Sequence, residues 1–296
     1  MFESKKVGDG VVAEFNDITG EIELISDGGT IEEDWSQYTG ARRDEFTAIY
    51  VPNGKICLRE ASTWKPCDDG FSFFGGCTNL RSIDCQKFDT SKIADMTGMF
   101  ERCSKLETLD VSTWDTSNVF TMKRMFYGCE KLAFLDVNGF DTSRVTSMEW
   151  MFACCHALNL PRILRFDTSN VLTMEGMFND CVSLTSLDLN SFDTSKVTNM
   201  SLMFAGCTNL KTLDINKFNA NRMISISGMF LNCHHLKSIN VNYGTSIKWM
   251  CDIFKNCYSL QNIVMPLVTG QNVDTDNMFD GCRKDVCIIS SDHERR

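Results

Sequence analysis

The sequence predicts an α/β repeat solenoid of about nine rungs, each 24–26 residues long, with a β cap at its N-terminal end. Two observations carry this. A cysteine marks one phase nine times, at Cys77, Cys103, Cys129, Cys155, Cys181, Cys207, Cys233, Cys257 and Cys282, spaced by 26 residues six times and then by 24 and 25. An aromatic stands three residues before most of them (Phe100 to Phe279) and an apolar anchor three residues after (Leu80 to Leu260). A rung of this length cannot bury its own apolar side, so neighbours must stack.

Taken in chain order, residues 1–70 lie outside the repeat. The run VVAEFNDITGEIELIS is two strand-like segments around Asp17–Gly20, and IYVPNGKICL reads as a second hairpin around Asn53–Gly54. A stacked array leaves an exposed apolar end, so this segment is expected to cover it, with Trp35 and Trp64 as packing residues. Residues 71–289 form the solenoid. In LETLDV (106–111), Leu106, Leu109 and Val111 alternate with polar residues as a short parallel strand would. The DTS that follows, Asp115–Ser117 and its copies, is turn chemistry. Met96, Met99, Phe100 and Cys103 recur at spacings of three and four, which predicts a short helix packed inward. Residues 290–296 are a polar C-terminal tail.

Composition narrows the function classes. The chain has 296 residues and 43% hydrophobic content, too apolar for disorder, and no apolar run that would span a bilayer. Its net charge is −10, and residues 1–70 hold 15 acidic and 7 basic side chains. An acidic chain without a basic face argues against direct nucleic-acid binding and favours a basic protein partner. No apolar stretch follows the N-terminal lysines, and 15 cysteines without a leader suit a reducing compartment, so the expected location is cytoplasmic. The alternative is the cell surface, reached after removal of a leader or by another export route.

Catalytic and metal-binding signatures are missing. No GxSxG, HExxH, P-loop or dinucleotide fingerprint occurs, and the acids recur at equivalent positions as a structural ladder does. Cys154-Cys155-His156 and Cys233-His234-His235 place adjacent ligands on one segment with no partner pair, which is poor zinc geometry. The ladder cysteines read as small buried thiols. No enzyme activity, small-molecule substrate, metal or other cofactor is expected.

Binding residues are sought on the outward side of the strands. Its middle column contains Asp110, Asp136, Arg162, Asp188 and Asp214, and its outer columns are mostly Ser, Thr and Asn. The third and fourth rungs depart from this with Phe134, Leu160, Arg162 and Leu164. Exposed apolar groups around an arginine inside a polar rim have the composition of a protein-binding hot spot. On the other side, Tyr127 and Trp150 form a secondary candidate, Trp150 standing where other rungs carry Gly98 or Gly176. The Asp89, Asp115, Asp141, Asp167 and Asp193 row is read as turn-stabilising.

The pattern LxxLDV…FDTSxVTxMxxMFxxCxxL, over residues 71–289, resembles the leucine-rich repeats of BspA-family bacterial surface proteins and their mycoplasmal and phage relatives. That resemblance implies a leucine-rich-repeat solenoid, no catalysis, and binding of proteins or surfaces, with host or surface interaction as the family habit. The alternative function is an intracellular phage- or prophage-encoded inhibitor docking onto a basic, nucleic-acid-processing or defence enzyme.

Overall fold

The computed structural model describes residues 2–26, 28–32, 40–59, 73–159, 164–266 and 273–290, and structural statements refer to these. Trp35 and Trp64 lie outside them. The chain is a β-solenoid of about nine turns. It divides into two compact units, residues 1–144 with 155–158, and residues 145–154 with 159–296.

The first unit contains β1 (Phe2–Gly8), β2 (Val11–Asn16), β3 (Glu21–Ile25), β4 (Thr30–Glu32), β5 (Ala48–Tyr50), β6 (Ile56–Arg59), β7 (Ser82–Ile83) and β8 (Phe88–Lys92). They make two sheets, ordered β1-β2-β3-β5-β7 and β4-β6-β8. The hairpin expected around Asp17–Gly20 is β2–β3, antiparallel, with Phe15 opposite Ile22. The second expected hairpin is absent: β5 belongs to the first sheet and β6 to the second. The Asn53–Gly54 turn, with Gly54 at φ 63°, carries the chain between sheets rather than folding it back on itself. Turn chemistry fixes a reversal but not which neighbour each arm pairs with. β5 pairs in parallel with β7, as a strand of a preceding rung would.

The second unit contains β9 (Ser186–Asp188), β10 (Thr212–Asp214), β11 (Ser238–Asn240), β12 (Asn262–Met265) and β13 (Cys287–Ser290). β9 pairs with β10, and β11-β12-β13 form a parallel sheet. These are the LxxL segments of successive rungs, aligned with equivalent residues opposite one another.

The helix expected in each rung does not form; among the described residues there is no α-helix. The backbone explains why. Two positions per rung, five residues and one residue before the cysteine, have left-handed φ: Gly98 and Arg102 at 63° and 60°, Gly228 and Asn232 at 60° and 61°. A helix cannot continue through such residues. The segment is instead a chain of three-residue turns, Met99 N–H to Met96 O (3.3 Å), Glu101 to Gly98 (2.9 Å) and Cys103 to Phe100 (3.1 Å). The intervening N–H groups point at the next rung: Met96 to Thr121 O, Gly98 to Lys123 O, Phe100 to Met125 O and Arg102 to Tyr127 O, at 2.6–3.1 Å. Every donor from Met96 to Cys103 thus has a partner, Thr97 N–H taking the Asp95 carboxylate at 2.7 Å.

Side chains lock onto this row. Within the first unit Phe100 and Phe126 stack at 5.8 Å and 3°; within the second, Phe178 and Phe204 stack at 5.5 Å and 10°. Each ladder thiol from Cys103 on donates to the phenylalanine carbonyl of the rung before, Cys129 Sγ to Phe100 O at 3.2 Å and Cys207 Sγ to Phe178 O at 3.1 Å. The cysteines are therefore hydrogen-bonded as well as space-filling. Burial pushes the Cys77, Cys207 and Cys257 thiols up to about 12. The DTS turns behave as the sequence suggests: Asp115 accepts from Ser117 N–H (2.9 Å), and the buried Thr116 hydroxyl donates to Asp141 O (3.0 Å).

The row needs a start as well as a repeat. Phe73 and Gly75 occupy the positions of Met99 and Glu101, whose carbonyls are satisfied by Phe74 and Gly76 N–H of the preceding rung. The buried Arg43 guanidinium donates Nη1–H to both the Phe73 and Gly75 carbonyls. A charged donor thus closes the acceptor end of the ladder.

Two predictions follow from these bonds. Arg43→Met should cost about 2–4 kcal/mol, because it removes a buried charged donor from two carbonyls, and should lower the urea midpoint without changing the content of β-structure. The raised thiol values predict alkaline sensitivity. Between the ordinary thiol range near 9 and about 12 the unfolded chain loses protons that the folded chain keeps, so stability falls as pH rises through that window. Urea melts from pH 8 to 11 should show this slope, and a Cys77→Ala, Cys207→Ala double variant should flatten it; an unchanged slope would contradict it.

Candidate partner-binding surface

The outward strand face is built by alternation: Leu109, Leu135, Leu187 and Leu213 are buried, and their neighbours point out. In the first unit Thr108 and Phe134 are opposite one another in a parallel bridge. Phe134 is 62% exposed, the largest exposure of an aromatic side chain among the described residues. Beside this pair stand the exposed Asp110 and Asp136. Hydrogen bonds from the Ser112 hydroxyl, from Ser112 N–H at 3.0 Å and from the Gln86 amide hold the Asp110 carboxyl below the usual carboxylate range. Asp136 accepts from Asn138 N–H at 3.0 Å. Both carboxylates therefore brace the turn after the strand, and the second Asp110 oxygen also takes the Gln86 amide.

In the second unit the same face is polar at β9 and β10. Ser186 is opposite Thr212 and Asp188 opposite Asp214. Together with Asn190 and Ser238 they line a shallow open hollow of about 340 Å³. Asp188 and Asp214 accept from Asn190 and Asn216 N–H at 2.9 and 3.0 Å, the brace seen in the first unit. Among the described residues no three His, Cys, Asp or Glu side chains converge to hold a metal ion.

The other candidates fall differently. Leu164, expected to point outward, is 0% exposed. Burial alternates through Leu164, Phe166 and Thr168 with Arg165 and Asp167 outside, so this rung carries a core leucine where others carry a turn residue. Its carbonyl accepts the Ser191 hydroxyl at 2.6 Å. Leu160 and Arg162 lie outside the described residues. Trp150 is half-buried at φ 56°, and its ring lies over Gly176, where a Cβ would sit 2.3 Å from Cε3. Its place is that of a packing residue. Tyr127 is half-buried beneath the Arg124 guanidinium, 4.4 Å from the ring centroid, and Arg124 pairs with the buried Glu101 at 2.6 Å.

Sequence reading passed over a second apolar column. Phe120 in the first unit and Leu172 and Trp249 in the second are exposed, at or next to the position two residues before the inward Met of each rung. The signal was present: that position reads Ala94, Phe120, Thr146, Leu172, Thr198, Ile224 and Lys248, a variable column beside nearly constant ones.

The family described as "Mycoplasma protein of unknown function, DUF285" matches residues 71–186, 133–243 and 185–286. No protein with a curated description matches. Among solved structures, a leucine rich cell surface protein from Faecalibacterium prausnitzii aligns at 15% identity and TM-score 0.39, covering 98% of this chain and 95% of that one. A leucine-rich repeat protein from Eubacterium ventriosum aligns at 12% identity and TM-score 0.35, covering 95% of each chain.

If Trp150 packs rather than binds, Trp150→Ala should lower stability by about 1–2 kcal/mol through lost contact with Gly176. A thermal melt that does not move would return Trp150 to the list of binding candidates.

Proposed function

The chain belongs to the DUF285 family, and on that premise we propose that it is a non-enzymatic protein-binding solenoid whose first unit meets its partner through the outward strand face. The family match bears out the BspA-type repeat recognition, whose relatives include mycoplasmal proteins. The observation that carries the proposed site is Phe134, 62% exposed on the strand face and in a parallel bridge with Thr108. An aromatic left this exposed has little to gain except from a partner that covers it. Asp110 and Asp136 beside it favour a cationic rim on that partner, such as lysines or arginines around an apolar pocket.

The non-catalytic reading is supported by the chemistry available. The ladder thiols are protonated hydrogen-bond donors, and the strand-face aspartates are tied to the turns they brace. A reducing, cytoplasmic setting is part of the proposal, because oxidation of a ladder thiol would remove its bond to the Phe carbonyl. Thiol counting on the native protein by mass spectrometry checks it; extensive disulfides would place the protein outside the reducing compartment.

The binding site is tested by quantitative affinity capture from the source cells, followed by titration of the purified partner. Phe134→Ala should weaken binding by about 30-fold, a hot-spot loss near 2 kcal/mol, with the thermal midpoint unchanged. Asp110→Asn with Asp136→Asn should mainly slow association and reduce its dependence on salt. Undiminished affinity in Phe134→Ala rejects this face.

A further inference from the structure

The outward strand face of the first unit carries a row of like charge. Asp84, Asp110 and Asp136 hold equivalent positions in three consecutive rungs, all exposed, and Phe134 stands beside the last of them. Thr108 and Phe134 are bridged in parallel, so Asp110 and Asp136, two residues further on, sit about one strand spacing apart, ~4.8 Å. Local bonds hold the carboxylates in place: Val51 N–H reaches Asp84 at 3.1 Å, and Asn138 N–H reaches Asp136 at 3.0 Å. Like charges directly opposite one another destabilise a sheet, and these bonds do not remove that repulsion.

The second unit carries a row of the opposite sign. Lys211 and Lys237 are exposed at equivalent positions, each one residue before its strand, β10 or β11. His235 N–H donates to Thr208 O at 3.2 Å, which sets these two rungs one step apart. An aromatic pair adjoins the lysines: His234 stacks on Tyr258 at 4.9 Å and 25°, and Tyr258 is 53% exposed. Asp214 lies on the strand side, three residues past Lys211, where it accepts Asn216 N–H at 3.0 Å. Asp252 is paired with Lys255 at 3.0 Å. The first unit has no such row, since Arg81 there faces Glu107 at 4.0 Å and the next rung carries Ala133.

From this we infer that the chain assembles with itself, the strand face of one copy docking on the Lys211–Lys237 corner of another. Asp110 and Asp136 meet the two lysines, and Phe134 lies against the exposed Tyr258 ring. The inference rests on the strand-face reading above and names its partner as a second copy. Each charged row offsets the repulsion within the other, and the two aromatic groups exclude water beside the ion pairs.

Charge and period together select this occupant. Two identical faces meeting would set aspartate against aspartate, and two identical corners lysine against lysine, so the contact joins unlike patches. Both rows are built on the same rung repeat. Carboxylates one step apart therefore face cations one step apart, and the register that makes one ion pair makes the next. A foreign basic surface would need that spacing by coincidence, whereas a second copy has it by construction.

The test is analytical ultracentrifugation of the purified full chain, with reductant present so that the exposed Cys287 cannot cross-link copies. The weight-average mass should rise with concentration at about 20 mM salt and fall back towards the monomer at about 300 mM, as screening shortens from roughly 20 Å to roughly 6 Å. Two charge-reversed variants, Asp110→Lys with Asp136→Lys and Lys211→Glu with Lys237→Glu, should each be monomeric alone. Mixed in equal amounts they should associate, because each restores the charge the other has lost. Phe134→Ala should weaken self-association by about tenfold or more. If a reversed variant fails to fold, Asp110→Asn with Asp136→Asn and Lys211→Gln with Lys237→Gln decide, each weakening association at least about tenfold. The inference is overturned if the chain stays monomeric at low salt up to about half-millimolar concentration, a Kd range in which even weak contacts register. It is overturned equally if folded reversed variants stay apart on mixing, or if association survives either reversal. A chain that is monomeric throughout still leaves the strand face open to a foreign partner, which the capture experiment with Phe134→Ala decides separately.

Discussion

Backbone hydrogen bonding between successive rungs in the MxxMF segment is the constraint from which the rest of the structure follows. Alternate N–H groups must reach the rung ahead, so the backbone cannot spend them within a helix. The remaining N–H groups close tight turns, and turns this tight require left-handed residues at two fixed places. Phenylalanine rings then stack because the backbone beneath them is in register, and the cysteine is small enough to sit against the preceding carbonyl and still donate to it. Length changes are kept out of this row. In the 24-residue step from Cys233 to Cys257, Gly228 still reaches Cys251 O and Phe230 still reaches Ile253 O. The shortening is taken up by the connection between strand and turn.

Much of this was legible from sequence. The cysteine phase, the inward leucines, phenylalanines and methionines and the DTS turns were all readable, because each depends on burial or local turn chemistry. The helix was misjudged because Met96, Met99, Phe100 and Cys103 share one side of either a helix or a chain of turns. Gly98, Gly128, Asp180, Asn232 and Asn256 held the discriminating information, since Gly, Asn and Asp are the residues that tolerate left-handed backbone. The Asn53–Gly54 hairpin failed for another reason: strand partners are chosen by tertiary packing that a dipeptide cannot encode.

The binding surface was legible only in part. Phe134 could be placed outward by counting from Leu132 and Leu135. Leu164 could not, because a register borrowed from neighbouring rungs fails where a rung replaces its turn residue with a core one. Trp150 looked conspicuous by contrast with glycine at equivalent positions, but a missing side chain in the next rung is itself a niche for a ring. An odd residue in a repeat therefore needs its neighbour's identity before it is read as a contact for a partner.

The thiol ladder also divides the chemistry of the folded chain from that of the unfolded one. While stacked, the ladder sulfurs from Cys77 to Cys257 are buried away from solvent and its oxidants. Once a rung opens they become ordinary thiols, crowded along one chain and free to cross-link out of order. An oxidising environment would then act as a ratchet, turning each transient opening into permanent damage, so the lifetime of this protein is set by how seldom its rungs part rather than by how tightly they hold on average.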